Sequence, residues 1–151
     1  MRRVDREITD RNVIDELIAK ASICRIGLVD GDEAYIVPMN FGYGDGCLWF
    51  HSALEGRKVD LVKKNGKASF EMDIDDGLVM DKVADKCTNR YSCVMGTGPI
   101  SIAEGEEKMK GIELLMEHYS SEPFKMTDKC APMVHIFKLE IRSLSCKRNG
   151  R

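Results

Sequence analysis

The chain has 151 residues, 43 % of them hydrophobic and 32 % charged, with a formal net charge of −2. A chain of that length can bury roughly 70 % of its unfolded surface, so a single folded domain, 1–151, is expected, and the composition argues against disorder. The charge balance leaves no basic excess for a run of nucleic-acid phosphates, and no apolar run approaches the roughly 18 residues that cross a bilayer, so neither nucleic acid nor membrane is an expected partner.

The chain begins Met1-Arg2-Arg3-Val4-Asp5-Arg6-Glu7 and continues Ile8-Thr9-Asp10-Arg11 where a secretory signal needs an apolar block, so a cytoplasmic location is expected. Asp10 or Thr9 can cap a first helix, Arg11 to Ala21, whose Val13, Ile14, Leu17 and Ile18 follow helical spacing. Then the period changes. Ser22 to Val29 reads as a strand closed by the turn Asp30-Gly31-Asp32, and Ala34 to Tyr43 as a second strand carrying Pro38. After Gly44-Asp45-Gly46 comes a third, Cys47 to His51. A short helix, Glu55 to Lys64, stops at Asn65-Gly66. Ala68 to Ile74 alternates as a fourth strand, and Asp75 to Arg90 is poorly patterned and long enough for a functional loop. Tyr91 to Ile102 is a fifth strand, interrupted by Gly96-Thr97-Gly98-Pro99 as if by a bulge or bend. Glu104 to Tyr119 is the clearest helix, Ser120 to Ala131 is irregular, and Met133 to Leu144 is a final strand. Six strands in a meander with few helices predict a mainly β fold, a six-stranded antiparallel barrel with flanking helices.

The six cysteines, Cys24, Cys47, Cys87, Cys93, Cys130 and Cys146, form no Cys-x-x-Cys pair and have no histidine at finger spacing, so they read as reduced thiols and no metal is expected.

Three features suggest chemistry. In Trp49-Phe50-His51-Ser52-Ala53-Leu54-Glu55-Gly56-Arg57-Lys58 a strand ends and a helix opens with two cations in its first turn. Cations oppose the helix dipole there and cost a few tenths to about 1 kcal/mol unless an anion neutralises them. The stretch therefore reads as a phosphate cradle, or else as an ordinary surface helix. Arg25, in mid-strand, either meets an anion or faces outward beside a carboxylate. In Val37-Pro38-Met39-Asn40-Phe41-Gly42-Tyr43 the proline removes a ladder donor and implies an edge or a bulge, leaving neighbouring backbone groups free for a planar heterocycle, with Asn40 offering donor and acceptor. His118 and His135 read as helix-surface and strand-packing residues.

Taken in order, Val37 to Tyr43, Leu48 to Ala53, Gly56-Arg57-Lys58 and Tyr91 to Gly98 resemble the pyridoxamine 5′-phosphate oxidase-like flavin-binding split barrels, most closely their 5-nitroimidazole-resistance group. The opening Arg2-Arg3-Val4-Asp5-Arg6-Glu7-Ile8 is similar too, and the likeness spans about residues 1 to 119. The resemblance implies a homodimer with FMN in the crevice between protomers. It sets Val37, Pro38, Met39 and Asn40 along the isoalloxazine edge, and His51, Ser52 and Ala53 over the ribityl chain and phosphate. Arg57 and Lys58 grip the phosphate, Arg25 reaches it, and Ser92 meets the flavin from the adjacent strand. His51 either donates a proton to a reduced substrate or bonds the cofactor. Two departures stand out: Asp75 to Arg90 lacks a tryptophan expected in the pocket wall, and Asn65-Gly66-Lys67 replaces an asparagine–proline junction. The activity implied is that of an FMN-dependent oxidoreductase, a flavin reductase using NAD(P)H and able to act on nitroaromatic compounds. The alternatives are a flavin-binding module without turnover, and a haem-binding barrel with His51 or His135 as axial ligand.

Overall fold

Asp10 opens the first helix by accepting the Asn12 N–H on its carboxylate at 2.9 Å. In the computed structural model, which describes residues 3–126, 129 and 131–150, that helix is α1, Arg11–Lys20. Arg2, Cys130 and Arg151 lie outside the described residues. Ile14, Leu17 and Ile18 form its buried stripe, and packing against the sheet stabilises it far more than its intrinsic propensity does.

Among the described residues there are nine strands, where the sequence predicts six. They are β1 (Glu7–Ile8), β2 (Cys24–Asp30), β3 (Glu33–Met39), β4 (Gly42–Gly44), β5 (Cys47–Ser52), β6 (Lys67–Val79), β7 (Thr88–Ala103), β8 (His135–Glu140) and β9 (Ser143–Asn149). They pair antiparallel in the order β3-β2-β6-β7-β8-β5-β4, with β9 joining β7 to β1. The fold is a split barrel. Two of the three extra strands arise where one expected strand changes sheet partners, and the third is β1, which pairs with β9. Ala34 to Tyr43 breaks after Met39, so that β3 pairs with β2 while β4 pairs with β5. Met133 to Leu144 likewise divides into β8 and β9.

Gly96 to Pro99 is not a break in β7. Its pairing with β6 runs without interruption from Ser92 to Pro99, and it is the other edge that changes, from β9 up to Thr97 to β8 from Ile100. Gly98 makes the exchange possible, because a Cβ there would lie 1.7 Å from the Glu140 carbonyl oxygen. The register shift falls in β6 instead, between Asp75 and Gly77. The expected loop 75–90 is therefore mostly a two-stranded ribbon, β6 continuing to Val79 and β7 starting at Thr88. Its tip leaves Leu78 and Met80 exposed.

Two helices close the barrel. Phe41, Leu48, Phe50, Phe70, Met72, Val94, Phe137 and Leu139 fill the interior, joined by Val59 and Val62 of α2 (Arg57–Asn65). Burial of each such side chain is worth about 1.5–3 kcal/mol. On the outer side, α3 (Gly105–Tyr119) lies on Cys47, Trp49, Ala103 and Ile136. Gly111 permits that approach, since a Cβ would meet Trp49 and Ile136 at 2.6 Å. Among the described residues no helix is long and apolar enough to cross a membrane.

Candidate functional site

Strand alternation distributes the chemistry of β5 between two faces. Leu48, Phe50 and Ser52 share the interior side, and Cys47, Trp49 and His51 share the outer side. Ser52 is only 2 % exposed, and its Oγ has no hydrogen-bond partner among the described residues. His51 is exposed, and so is Ala53 beyond the strand end. A buried hydroxyl without a partner costs about 1–3 kcal/mol relative to a satisfied one. The inward turn of Ser52 follows from the period of the strand; its lack of a partner could not be read from the sequence.

From Ser52 the chain turns into α2, which begins at Arg57, two residues later than the sequence suggests. Gly56 is the N-cap, with φ 120° and no side chain to accept an amide. The intrahelical ladder starts with Val59 N–H to Gly56 O at 2.8 Å, so the Arg57 and Lys58 amides have no acceptor among the described residues. Gly66 stops the helix in the left-handed conformation, as the sequence indicates.

The two cations behave differently. The Arg57 guanidinium meets Asp30 at 2.7 Å and Glu33 at 3.6 Å and lies 4.5 Å above the Tyr35 ring. Its hydrogen bond to Asp30 is the main reason its pKa is raised. Lys58 has no carboxylate partner among the described residues. Its Nζ rests 3.4 Å from the Met39 sulfur, a weak acceptor, and burial pushes its pKa below the ordinary lysine value. An uncapped helix start, a half-buried ammonium and an orphaned buried hydroxyl all fall within Ser52 to Lys58, where β5 gives way to α2. Together they suit a phosphate monoester.

The remaining flagged residues belong to other surroundings. Arg25 donates to Asp73 at 2.5 Å and to Glu71 at 3.3 Å on the outer face of β2, opposite Pro38 in the register. Pro38 lies on the edge strand β3, where the sequence expects it. Val37 is half-buried and Met39 buried on the interior side, while Asn40 is exposed at the break between β3 and β4. Ser92 is buried on the interior side of β7, and its Oγ accepts from Arg148 Nε at 3.0 Å. His118 is more than a helix-surface residue: its Nε2 pairs with the Ala21 carbonyl at 2.8 Å and its ring packs on Phe41 at 4.2 Å. Neither Tyr35, Asp30 and Glu33 around Arg57 nor the Tyr119 contacts described below carry a signal in the local sequence.

The outer face of β2, β3, β6, β7 and β9 is mixed, with Gly27, Ile36 and Met95 interspersed among Arg25, Ser69 and Glu71. Ile36 is 65 % exposed, and with Met95 and Leu144 it lines a groove of ≈ 620 Å³. The buried thiols are poor nucleophiles. Burial lifts Cys24 to about 12 and Cys93 to about 11, and five cysteines, Cys24, Cys47, Cys87, Cys93 and Cys146, are free. No cluster of metal-ligating side chains occurs among the described residues.

Residues 10–148 match the family profile described as pyridoxamine 5′-phosphate oxidase. A candidate 5-nitroimidazole antibiotic resistance protein from Bacteroides thetaiotaomicron is 28 % identical, with a TM-score of 0.83 over 94 % of this chain and 86 % of that one. An FAD and heme binding protein from Mycobacterium smegmatis is 18 % identical, with a TM-score of 0.86 over 97 % of this chain and 74 % of the other. A flavocytochrome from Azotobacter vinelandii is 15 % identical, with a TM-score of 0.85 over 100 % and 72 %. At those two identities the likeness is one of fold. Among proteins of curated function none matches.

Proposed function

Because this chain belongs to the pyridoxamine 5′-phosphate oxidase family, we propose that it binds FMN and acts as a flavin-dependent oxidoreductase, a flavin reductase able to reduce nitroaromatic compounds with NAD(P)H as donor. The observation that carries the reading is the corner where β5 hands over to α2, where, among the described residues, Ser52 Oγ has no partner, the helix start no side-chain cap and Lys58 no carboxylate. Lys58, the Arg57 and Lys58 amides and Ser52 would hold the phosphate. Val37, Pro38, Met39 and Asn40 would flank the ring, with Asn40 supplying donor and acceptor from the strand break. Arg57 enters mainly through its backbone, since Asp30 and Glu33 already engage its side chain. Bound flavin would supply the hydride and electron chemistry that none of these side chains has.

The chain's own contribution is to hold the ring and exclude water. His51, exposed beside Ser52 in the chain, provides a proton donor for a reduced substrate or a bond to the cofactor. The nitroaromatic substrate class rests on the 28 % identity to the Bacteroides protein. The outer groove, with Ile36 exposed beside Met95, supports a homodimer in which a second copy covers that face.

The test compares FMN with riboflavin. Arg57→Ala combined with Lys58→Ala is expected to lose at least about tenfold in FMN affinity and little in riboflavin affinity, each lost charge-assisted contact being worth about 1.5–3 kcal/mol. Equal losses for both ligands would remove the phosphate assignment. A Soret band on the purified protein, or no spectral change on adding FMN, would remove the flavin.

A further inference from the structure

The β2–β3 ladder ends with Cys24 opposite Met39. Continued by two residues in the same register, it would bring Ser22 opposite Phe41. There the Phe41 N–H donates to the Tyr119 hydroxyl at 3.0 Å, and that hydroxyl donates to the Ser22 carbonyl at 2.8 Å. One phenolic oxygen thus occupies the line that a ladder bond between the two strands would take. We infer that Tyr119, the last residue of α3, is a wedge that holds this end of the sheet open and so presents the Asn40 backbone to the flavin ring.

Three observations support the wedge. First, the chain parts at this point: β3 stays with β2, while Gly42 already pairs with Trp49 in the other half of the barrel. Second, antiparallel pairs alternate between facing and averted backbone groups. Continued past Met39, that alternation would aim the Asn40 N–H away from β2, and the trans Asn40–Phe41 peptide, with its N–H on the Tyr119 hydroxyl, sends the Asn40 C=O the same way. Third, the grip on the two strands is double. His118 holds the Ala21 carbonyl and packs its ring on the fully buried Phe41, so both strands are attached to the same helical turn. The helix is itself set closely on the barrel, since a Cβ at Gly42 would meet the Leu114 backbone at 2.5 Å. Tyr119 is a positioning residue: it acts on the ligand only through the strand break.

The inference rests on the flavin reading, and its test separates the two. Tyr119→Phe removes only the hydroxyl, freeing Ser22 and Phe41 to approach each other. FMN and riboflavin affinities are expected to fall together, by about tenfold, with a changed flavin absorption band and an unchanged ratio between the ligands. Wild-type affinity and spectrum in Tyr119→Phe would overturn the wedge. Amide hydrogen exchange on the wild-type chain decides the matter if that variant does not fold. The Phe41 amide is expected to exchange at least about tenfold more slowly than the averted Asn40 amide, and equal rates would overturn the proposal. A wild-type chain that bound neither flavin would overturn the role toward the ring, and the exchange contrast would then show that the strand opening alone survives.

Discussion

Two cationic regions of this protein look alike in the sequence and differ in the structure. On the outer face of β2, Arg25 is engaged by Asp73 and Glu71, and the buried side-chain atoms without a partner among the described residues lie on β5 instead. At the start of α2, Lys58 has only a methionine sulfur among the described residues, in a stretch that also holds an uncapped helix start and a buried serine hydroxyl with no partner among them. What sets the corner proposed to bind phosphate apart from a structural ion pair is therefore the tally of unsatisfied groups, not the presence of positive charge. A native fold keeps few such groups, because each is costly, so a cluster of them points to a ligand.

The sharpest way to separate the regions is to give each its own failure. If the outer face around Arg25 is covered by a second copy, Ile36→Glu buries an unpaired charge in that contact. The dimer dissociation constant is then expected to rise at least about a hundredfold, roughly 3 kcal/mol, as read by sedimentation. A monomeric wild type would contradict the dimer.

At the α2 corner, Lys58→Ala alone is expected to cost FMN about ten- to a hundredfold against riboflavin, and Arg57→Ala distinctly less, because Arg57 serves Asp30 and Glu33. Equal effects in a fluorescence titration would mean that the ion pairs of Arg57 give way to the ligand. Lys58 also predicts a pH dependence. Its protonated form attracts phosphate, and burial lowers its pKa, so the preference for FMN should decline as pH rises through that lowered value. The measurement belongs above pH about 7.5, where the phosphate is already a dianion. The folded pKa lies below the unfolded one, so the unfolded chain binds more protons in that window. The contribution of Lys58 to the stability of the free protein accordingly rises with pH there, and Lys58→Ala should abolish both trends.

Ser52→Ala should move stability and binding in opposite directions. Removing an unpaired buried hydroxyl leaves the free protein unchanged or more stable by up to about 1 kcal/mol, while FMN affinity falls a few-fold. A clear loss of thermal stability would mean that the hydroxyl is satisfied after all. Arg25→Ala is expected to have the smallest effect, below about 1 kcal/mol in denaturant unfolding, with the FMN-to-riboflavin ratio unchanged, as for exposed ion pairs generally.

Much of this was readable from residue order. Asp10 and Gly66 mark helix ends by local chemistry, the period of α1 gives its buried stripe, and β5 follows from an apolar run bounded by glycine turns. Pro38 pointed to an edge strand, because a missing N–H is tolerated where no neighbour needs it. The 75–90 stretch reads as a loop because a ribbon carrying Asp75, Asp76, Asp81 and Asp85 pairs through its backbone, and backbone pairing leaves no hydrophobic period.

By itself the sequence determined the elements with local causes: caps, turns, alternation, and the placing of two cations at a helix start. Only the tertiary structure decided which of the cations are already neutralised, because the carboxylates that pair with Arg25 and Arg57 come from strands 46 to 48 and 24 to 27 residues away. It also decided where one strand changes sheets and how Tyr119 reaches back 78 residues to the Phe41 amide. Such long-range partners depend on closure of the barrel, and no local rule of spacing contains them.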